Sequence, residues 1–440
     1  MSKTLHLVSL GCTKNLVDSE VMLGKLSSYT LTDDPSSADL IIVNTCGFIE
    51  AAKAESIQTI LDLHQQRKKD SLLVMSGCLS QRYKEELSLE LPEVDIFTGV
   101  GDYERIDEIV SLRKSSFSPE VYLINENAPR LITGSNYHAY IKIAEGCNQT
   151  CSFCAIPSFK GKLKSRKLDS IIQEVSNLTQ KGFCDFSFIS QDSSSYGRDL
   201  GMKNGLIELI EQVQLLPGVK SARILYLYPS TTTFELIDKI ADSEIFQTYY
   251  DMPIQHIDNK VLKIMKRGFG EKETIALLER MREKKGSFLR TSVIAGHPNE
   301  TEEAFNRLCE FLEEFEFDRI NVFAYSNEEN TKAYTLPQLP EEVILKRTEI
   351  LGEIAKKAKD RSLEKLLDKE IEVVIDGLSS EHEFFLSARP LKWAVEIDGE
   401  ILINDKGDFE VKVGECYFAK ITQKAGEYLV ATLTKRSNKN

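Results

Sequence analysis

No stretch of the 440 residues stays apolar for about 18 positions, so nothing in the chain reads as a membrane-spanning helix. There is no Gly-X-Y period and no low-complexity tract, which excludes collagen-like and compositionally disordered chains. The basic excess that phosphate binding needs is also missing. Against 55 Lys and Arg stand 68 Asp and Glu, a net charge of −13, so a basic protein is an easier partner than a nucleic acid. Cysteine is present but sparse: nine in 440 residues, an odd number, do not make the paired framework of a small secreted domain. In a reducing compartment, thiols that cluster point to metal or catalysis. The opening MSKTLHLVSLGC ends in Gly-Cys, as a lipoprotein signal does, but its apolar stretch is too short and reads as a strand. The expected location is the cytoplasm.

What is present is an apolar content of 42%, enough for about three cores at roughly 150 residues each. From residue 4 to about 114, apolar runs at 5–9, 40–44 and 72–76 alternate with helical stretches at 15–26, 48–66 and 81–87. That order predicts a parallel α/β sheet. A connector with several Ser and Pro residues, 114–136, marks a boundary. Six strand candidates follow at 139–144, 184–190, 223–228, 249–253, 288–295 and 318–323, most separated by helical patterns. They predict a barrel or partial barrel whose chemistry sits at the C-terminal strand ends. A charged helix is expected over 341–367. Past residue 368, short strands at 371–375, 393–397, 401–403, 409–413, 417–422 and 428–434 predict a small OB-like β-barrel, with Asp376-Gly377 and Asp398-Gly399 as turns. From residue 365 onward the chain carries 11 Lys and Arg against 14 Asp and Glu, unlike an RNA-gripping module.

The sharpest pattern is Cys147-x3-Cys151-x2-Cys154, directly after the first strand of the barrel-like region. Three thiolates this close can hold three irons of a four-iron cluster and leave the fourth iron open to a small ligand. Buried core cysteines have no reason to bunch, and zinc needs a fourth ligand that only His138 offers nearby. A second set is dispersed: Cys12, Cys46 and Cys78 each follow a strand, about one βαβ repeat apart. In a parallel sheet these positions share the C-terminal edge, where ligands bind, so the three thiols converge; the plainer alternative is three small apolar residues ending strands. Cys184, Cys309 and Cys416 have no spaced partner and read as packing residues. Arg67-Lys68-Lys69 reads as a solvated helix end.

C-x3-C-x2-C at the end of a barrel's first strand resembles the radical S-adenosylmethionine superfamily. The segments GCTKNLVDSE, NTCGFIEAA and SGCLSQRY closely resemble the N-terminal domain of the methylthiotransferases, and the resemblance spans essentially the whole chain. SLGCTKNLVDSE, AYIKIAEGCNQTCSFCAIP, ISQDSSSYG, LYLYP, DMPIQHI and LKIMKRG are similar to the branch that modifies an aspartate of small-subunit ribosomal protein twelve. The tRNA-modifying branch is expected to carry Gln and Met where this chain has Thr13 and Lys14, and a Gln-Asn pair near Gln191-Asp192. Departures are Lys160 and Lys164, where the family usually has Arg, and His297, where an apolar residue is usual.

The resemblance implies an α/β fold of three parts: an N-terminal cluster domain over 1–124, a partial (β/α)6 radical S-adenosylmethionine barrel over 133–363, and a TRAM β-barrel over 366–436. It implies two 4Fe-4S clusters. Cys147, Cys151 and Cys154 would hold the one that cleaves S-adenosylmethionine to a 5′-deoxyadenosyl radical; Cys12, Cys46 and Cys78 would hold an auxiliary cluster that carries the sulfur. S-adenosylmethionine would serve as methyl donor and radical source, with contacts from Gln191, Asp192, Gln255, His256, Gly296 and Glu300, and weaker candidates at Tyr228, Arg290 and Tyr325. The expected enzyme is a monomeric methylthiotransferase that attacks the Cβ of an aspartate on a ribosomal protein, with a flavodoxin or ferredoxin as electron donor. Its acidic terminal barrel is expected to recognise that basic protein. The rivals are a tRNA methylthiotransferase and, in another class, a zinc-stabilised binding adaptor.

Overall fold

The computed structural model of the chain describes residues 3–379 and 383–437; Met1 and Ser2 of the expected first domain, and residues 380–382 of the expected last, lie outside the described residues. The first unit is a five-stranded parallel sheet in the order Thr30–Leu31, Thr4–Ser9, Leu40–Thr45, Leu72–Gly77, Ile96–Phe97. Leu40–Thr45, reading LIIVNT, is buried at all six positions, as a strand covered on both faces must be. Helices Thr13–Lys25 and Glu50–Gln66 follow the first and third strands in chain order. The helix expected at 81–87 is instead two, Cys78–Arg82 and Lys84–Glu90. The break is at Tyr83, which leaves helical geometry at φ −123° and ψ 37° with the charges of Lys53 and Arg82 over its ring.

The connector at 114–136 forms no helix or strand, yet it is strapped down. Arg130 is buried and pairs with Glu20 of the first helix at 2.6 Å and with Glu174 of the next unit at 2.9 Å. Gly24 makes room for it, since a Cβ there would stand 2.1 Å from the carbonyl oxygen of Pro129.

The six expected strands of the central unit are all present and run in chain order as two three-stranded parallel sheets. The first holds His138–Lys142, Asp185–Ile189 and Ser221–Ile224; the second holds Tyr249–Asp251, Phe288–Ala295 and Arg319–Ala324. Backbone bonds from Gln247 to Ala222 and from Leu227 to Asp251, both 2.8 Å, join them into one open arc. The strand expected at 223–228 stops at Ile224 because Tyr226 takes φ +63°, outside strand geometry. Helices such as Leu168–Thr179, Gly205–Val213 and Glu302–Glu314 press Val175, Ile210 and Leu308 into the core outside the arc. Helix Glu341–Glu364 then leads to the last unit.

That unit is a closed barrel in the order Glu370–Leu378, Leu386–Pro390, Ile401–Asp405, Tyr428–Arg436, Cys416–Ala425. Two expected strands do not form, and Leu386–Pro390 was not anticipated. Residues 393–397 make turns instead, with Trp393 packed against Phe288, and 409–413 is pinned to the Tyr417 hydroxyl rather than to a strand. Trp393, Val395 and Asp398 sit beneath the N-terminal ends of the central strands: Tyr140 donates to the Val395 carbonyl at 2.8 Å and Arg319 donates to that of Asp398. Asp185, at the start of its strand, is held by Arg223 at 2.8 Å and by Arg389 of the last barrel at 2.7 Å. The arc is thus plugged at its bottom, and its open end is the C-terminal one. No helix among the described residues is long and apolar enough to cross a membrane.

Candidate active site: two cysteine triads

The compact triad lies on a loop clamped at its base. Ala144–Glu145 pairs antiparallel with Lys164–Ser165, and the Cys147 amide donates to the Gly161 carbonyl at 3.1 Å. Gly146 is needed here: its φ is +74° and a Cβ would stand 2.2 Å from the Lys162 carbonyl oxygen. The thiols face a cavity of about 130 Å³ whose lining includes Cys147, Cys151, Cys154, Gln191, Tyr226, Tyr228, Gln255 and Arg267. Burial, with neighbouring thiols adding repulsion, pushes Cys147 and Cys154 up to about 12. They are neutral until a metal displaces their protons.

The dispersed triad is built by three strand ends. Cys12 precedes helix Thr13–Lys25, Cys46 follows Leu40–Thr45, and Cys78 follows Leu72–Gly77. Glycines let the three turns close: a Cβ on Gly11 would meet Cys46 Sγ at 2.9 Å, one on Gly47 the Leu79 Cα at 2.7 Å, and one on Gly77 the Asn44 Oδ1 at 2.3 Å. Asn15 ties the turns together, donating to the carbonyls of Leu10 and Thr45 and lying 3.7 Å from Cys78 Sγ through its oxygen. Asn44 answers by donating to the Asn15 carbonyl and to Ser19. Burial raises Cys46 to about 11 and Cys78 to about 12, and repulsion from the Cys12 thiol adds to both.

The first unit borders the cavity of the compact triad, although Cys12, Cys46 and Cys78 do not themselves line it. Phe48, two residues past Cys46, lines it, while Thr13 and Lys14 of the first unit contact Tyr226, another lining residue. Between the units runs a buried ionic chain in which Lys142 contacts Asp18 and Glu145, and Lys160 pairs with Glu145 at 2.9 Å. Among the described residues no three His, Cys, Asp or Glu side chains converge tightly enough for a single metal ion. A cubane asks less, because its cysteines bind different irons. Three thiols without a fourth donor among the described residues fit an open-iron cluster at each place, and those of the compact triad open onto the cavity. His138 is no fourth ligand: it begins the first strand, at the opposite end from the cysteine loop, where its Nε2 contacts Ser187.

The other expected residues divide in two. Gln191 and Gln255 reach the cavity, each with a buried amide oxygen that has no partner among the described residues. Tyr228 joins them, its hydroxyl 3.4 Å from Cys151 Sγ. Asp192 lies just behind, fully engaged by Gln149, Ser194 and Ser195. His256, Gly296 and Glu300 form a closed set off the cavity: Glu300 accepts from the Gly296 amide, pairs with Arg347 at 2.6 Å and lies 3.2 Å from His256. Arg290 pairs with Asp251 at 3.1 Å, and Tyr325 packs on His297. Of the three departures, Lys160 belongs to the buried ionic chain, Lys164 is exposed, and His297 is buried and held neutral at about 4 by that burial. Arg267 was missed. It donates to Cys151 Sγ at 3.4 Å and stacks 4.0 Å over Tyr228; its only sequence signal was its place in LKIMKRG.

Comparison with known proteins matches this layout. Residues 4–99 fit the model of Uncharacterized protein family UPF0004, and residues 141–312 fit that of the Radical SAM superfamily. A radical S-adenosylmethionine methyltransferase, TsrM from Kitasatospora setae, superposes with a TM-score of 0.53 over 74% of both chains at 15% identity, a likeness of fold. Fold and family models together define a radical S-adenosylmethionine enzyme. The chain is 68% identical to the ribosomal protein uS12 methylthiotransferase RimO of Sulfurovum sp. (strain NBC37-1), over 98% of this chain and 99% of that relative. It is 60% identical to the RimO of Aliarcobacter butzleri, over 98% of each, and 56% to that of Campylobacter jejuni, over the full length of both. The chain belongs to this RimO family of radical S-adenosylmethionine methylthiotransferases.

Proposed function

We propose that the enzyme adds a methylthio group to the Cβ of an aspartate of ribosomal protein uS12. The observation that carries this reading is that residues flanking the dispersed triad come up to the cavity of the compact one, Phe48 lining it and Thr13 and Lys14 touching Tyr226 in its wall. Cys147, Cys151 and Cys154 would hold one 4Fe-4S cluster, and Cys12, Cys46 and Cys78 the other. When bound, the clusters and S-adenosylmethionine supply a hydrogen-abstracting radical, a sulfur and a methyl group, chemistry that side chains lack.

The chain's own residues position and shield. Gln191 and Gln255 present unpartnered amide oxygens, which with Tyr228 and Arg267 would hold S-adenosylmethionine against the compact triad. Arg267 and Tyr228 also direct an N–H and a hydroxyl at Cys151, polar neighbours of the kind that tune a thiolate ligand. Asp192 and Glu300 fix the wall behind through Gln149 and Arg347, with His256 lying 3.2 Å from Glu300. The salt-bridged interface of Asp18, Lys142, Glu145 and Lys160 ties the two units together, which would help to present a substrate carbon to both triads.

Incubating the reduced enzyme with S-adenosylmethionine and either uS12 or tRNA tests the reading. Mass spectrometry is expected to find methylthio addition on the aspartate of uS12 and none on tRNA. Modification of tRNA alone would overturn it.

A further inference from the structure

Lys14 occupies an unusual electrostatic position. Its side chain is nine-tenths buried, yet among the described residues no carboxylate pairs with it and no acceptor takes its ammonium; it lies 3.6 Å over the ring of Tyr226. The anions nearby are held by other cations, although Glu145 and Asp251 still favour the charged form of Lys14 without touching it. Lys142 and Lys160 neutralise Asp18 and Glu145, and Arg290 pairs with Asp251. The Lys14 nitrogen is not enclosed, and a cation over an aromatic face gains only about 0.5–2 kcal/mol, so an arriving anion would add a stronger, charge-assisted contact.

The support beneath Lys14 is fixed rather than adaptable. Tyr226 lines the cavity of the compact triad and sits at φ +63°, a strained backbone for an aromatic residue. Its amide donates to Asp251 Oδ2 at 3.1 Å, its carbonyl accepts from Ser193 at 3.0 Å, and its hydroxyl lies 3.4 Å from that of Thr13. These contacts hold one ring between the two triads, with the Lys14 ammonium above it and no carboxylate touching that ammonium among the described residues. We propose that Lys14 is the specificity-determining cation that binds the carboxylate of the substrate aspartate and so presents its Cβ to the space between the triads. This rests on the uS12 aspartate reading above. Lys14 acts as a counter-charge and donor, not as an acid or base.

The test is a double-mutant cycle on the holoenzyme, with equilibrium binding of purified uS12 and of uS12 whose target aspartate is replaced by asparagine. Lys14→Met is expected to weaken binding of uS12 on the order of 10- to 100-fold, the range of a charge-assisted hydrogen bond. The asparagine substrate should bind wild-type enzyme similarly weakly, and combining the two changes should weaken binding little further. Lys14→Arg should restore most of the affinity, and iron content should be unchanged in both variants. Independent, multiplying effects would overturn the assignment, as would unchanged binding by Lys14→Met. Loss of about half the iron in Lys14→Met would also overturn it, because the charge would then serve the cluster at Cys12 rather than the substrate. Wild-type enzyme that neither binds nor modifies uS12 would overturn the substrate reading itself, and this assignment with it.

Discussion

The two cysteine triads are assembled by opposite routes. The compact one is local: three thiols within eight residues, on a loop closed by two-residue strands at its base. The dispersed one exists only after folding, when three strand ends separated by 34 and 32 residues are brought to one sheet edge. A local triad needs little from the rest of the fold beyond a clamp. A dispersed triad depends on every contact that sets strand register and turn closure, which is why Gly11, Gly47, Gly77, Asn15 and Asn44 surround it. Both lie at C-terminal strand ends, where parallel sheets leave room for ligands.

The largest effect should come from removing each triad in turn. With Cys147, Cys151 and Cys154 changed to Ala, anaerobically loaded enzyme should keep about four of about eight irons and make no 5′-deoxyadenosine. With Cys12, Cys46 and Cys78 changed, it should also keep about four irons and still cleave S-adenosylmethionine, but form no methylthio product. Metal analysis and product chromatography check both. Zinc in place of iron would leave the adaptor reading standing, and methylthio product from the second variant would end the division of labour between the triads.

A smaller effect separates dependence on tight turns from backbone strain alone. Gly77 and Gly161 have similar unusual conformations, φ +96° with ψ −155° and φ +70° with ψ −164°. Only Gly77 is crowded; nothing lies within 4 Å of a Cβ at Gly161. Gly161→Ala should therefore cost about 1–3 kcal/mol from strain. Gly77→Ala should add roughly 1–3 kcal/mol of overpacking and lower the iron held by the dispersed triad. Urea unfolding with iron analysis measures this, and equal losses in the two variants would show that the turns tolerate more than their geometry implies.

The same contrast explains what was legible in the sequence. The compact triad was visible as a spacing, and the dispersed one as Cys after each strand, because strand order and βαβ period place strand ends together. All six central strands were found since each is an apolar run between helical patterns. The misses have physical reasons. Tyr226 ends a strand early through a positive φ that no pattern announces, and residues 393–397 look like a strand because Trp393 is buried, though against Phe288 rather than in a sheet. Arg267 had no signal beyond its motif, because its contact with Cys151 crosses 116 positions of sequence. His256, Gly296 and Glu300 sit near strand ends, as the pattern suggested, but Arg347 from a distant helix draws Glu300 into a closed set.

The smallest effect concerns whether the compact triad recruits a fourth protein ligand. His138 is the nearest histidine in sequence, but it lies at the other end of its strand, where burial lowers its pKa to about 3, with Asp185 opposing and Arg223 and Arg389 reinforcing the shift. Its unfolded value is about 6.5, so between these limits the unfolded chain binds a proton that the folded chain does not. Stability therefore falls as pH drops from about 6.5 toward 3, with a slope approaching about 1.4 kcal/mol per pH unit from this group. His138→Gln has nothing to titrate there. In urea unfolding of apoprotein, its stability should gain on wild type by on the order of 1 kcal/mol per unit as pH is lowered from 6 to 4.5, while its iron content after loading stays the same. Parallel pH profiles would mean that His138 is not held neutral in the fold, and a loss of iron would make it a ligand after all.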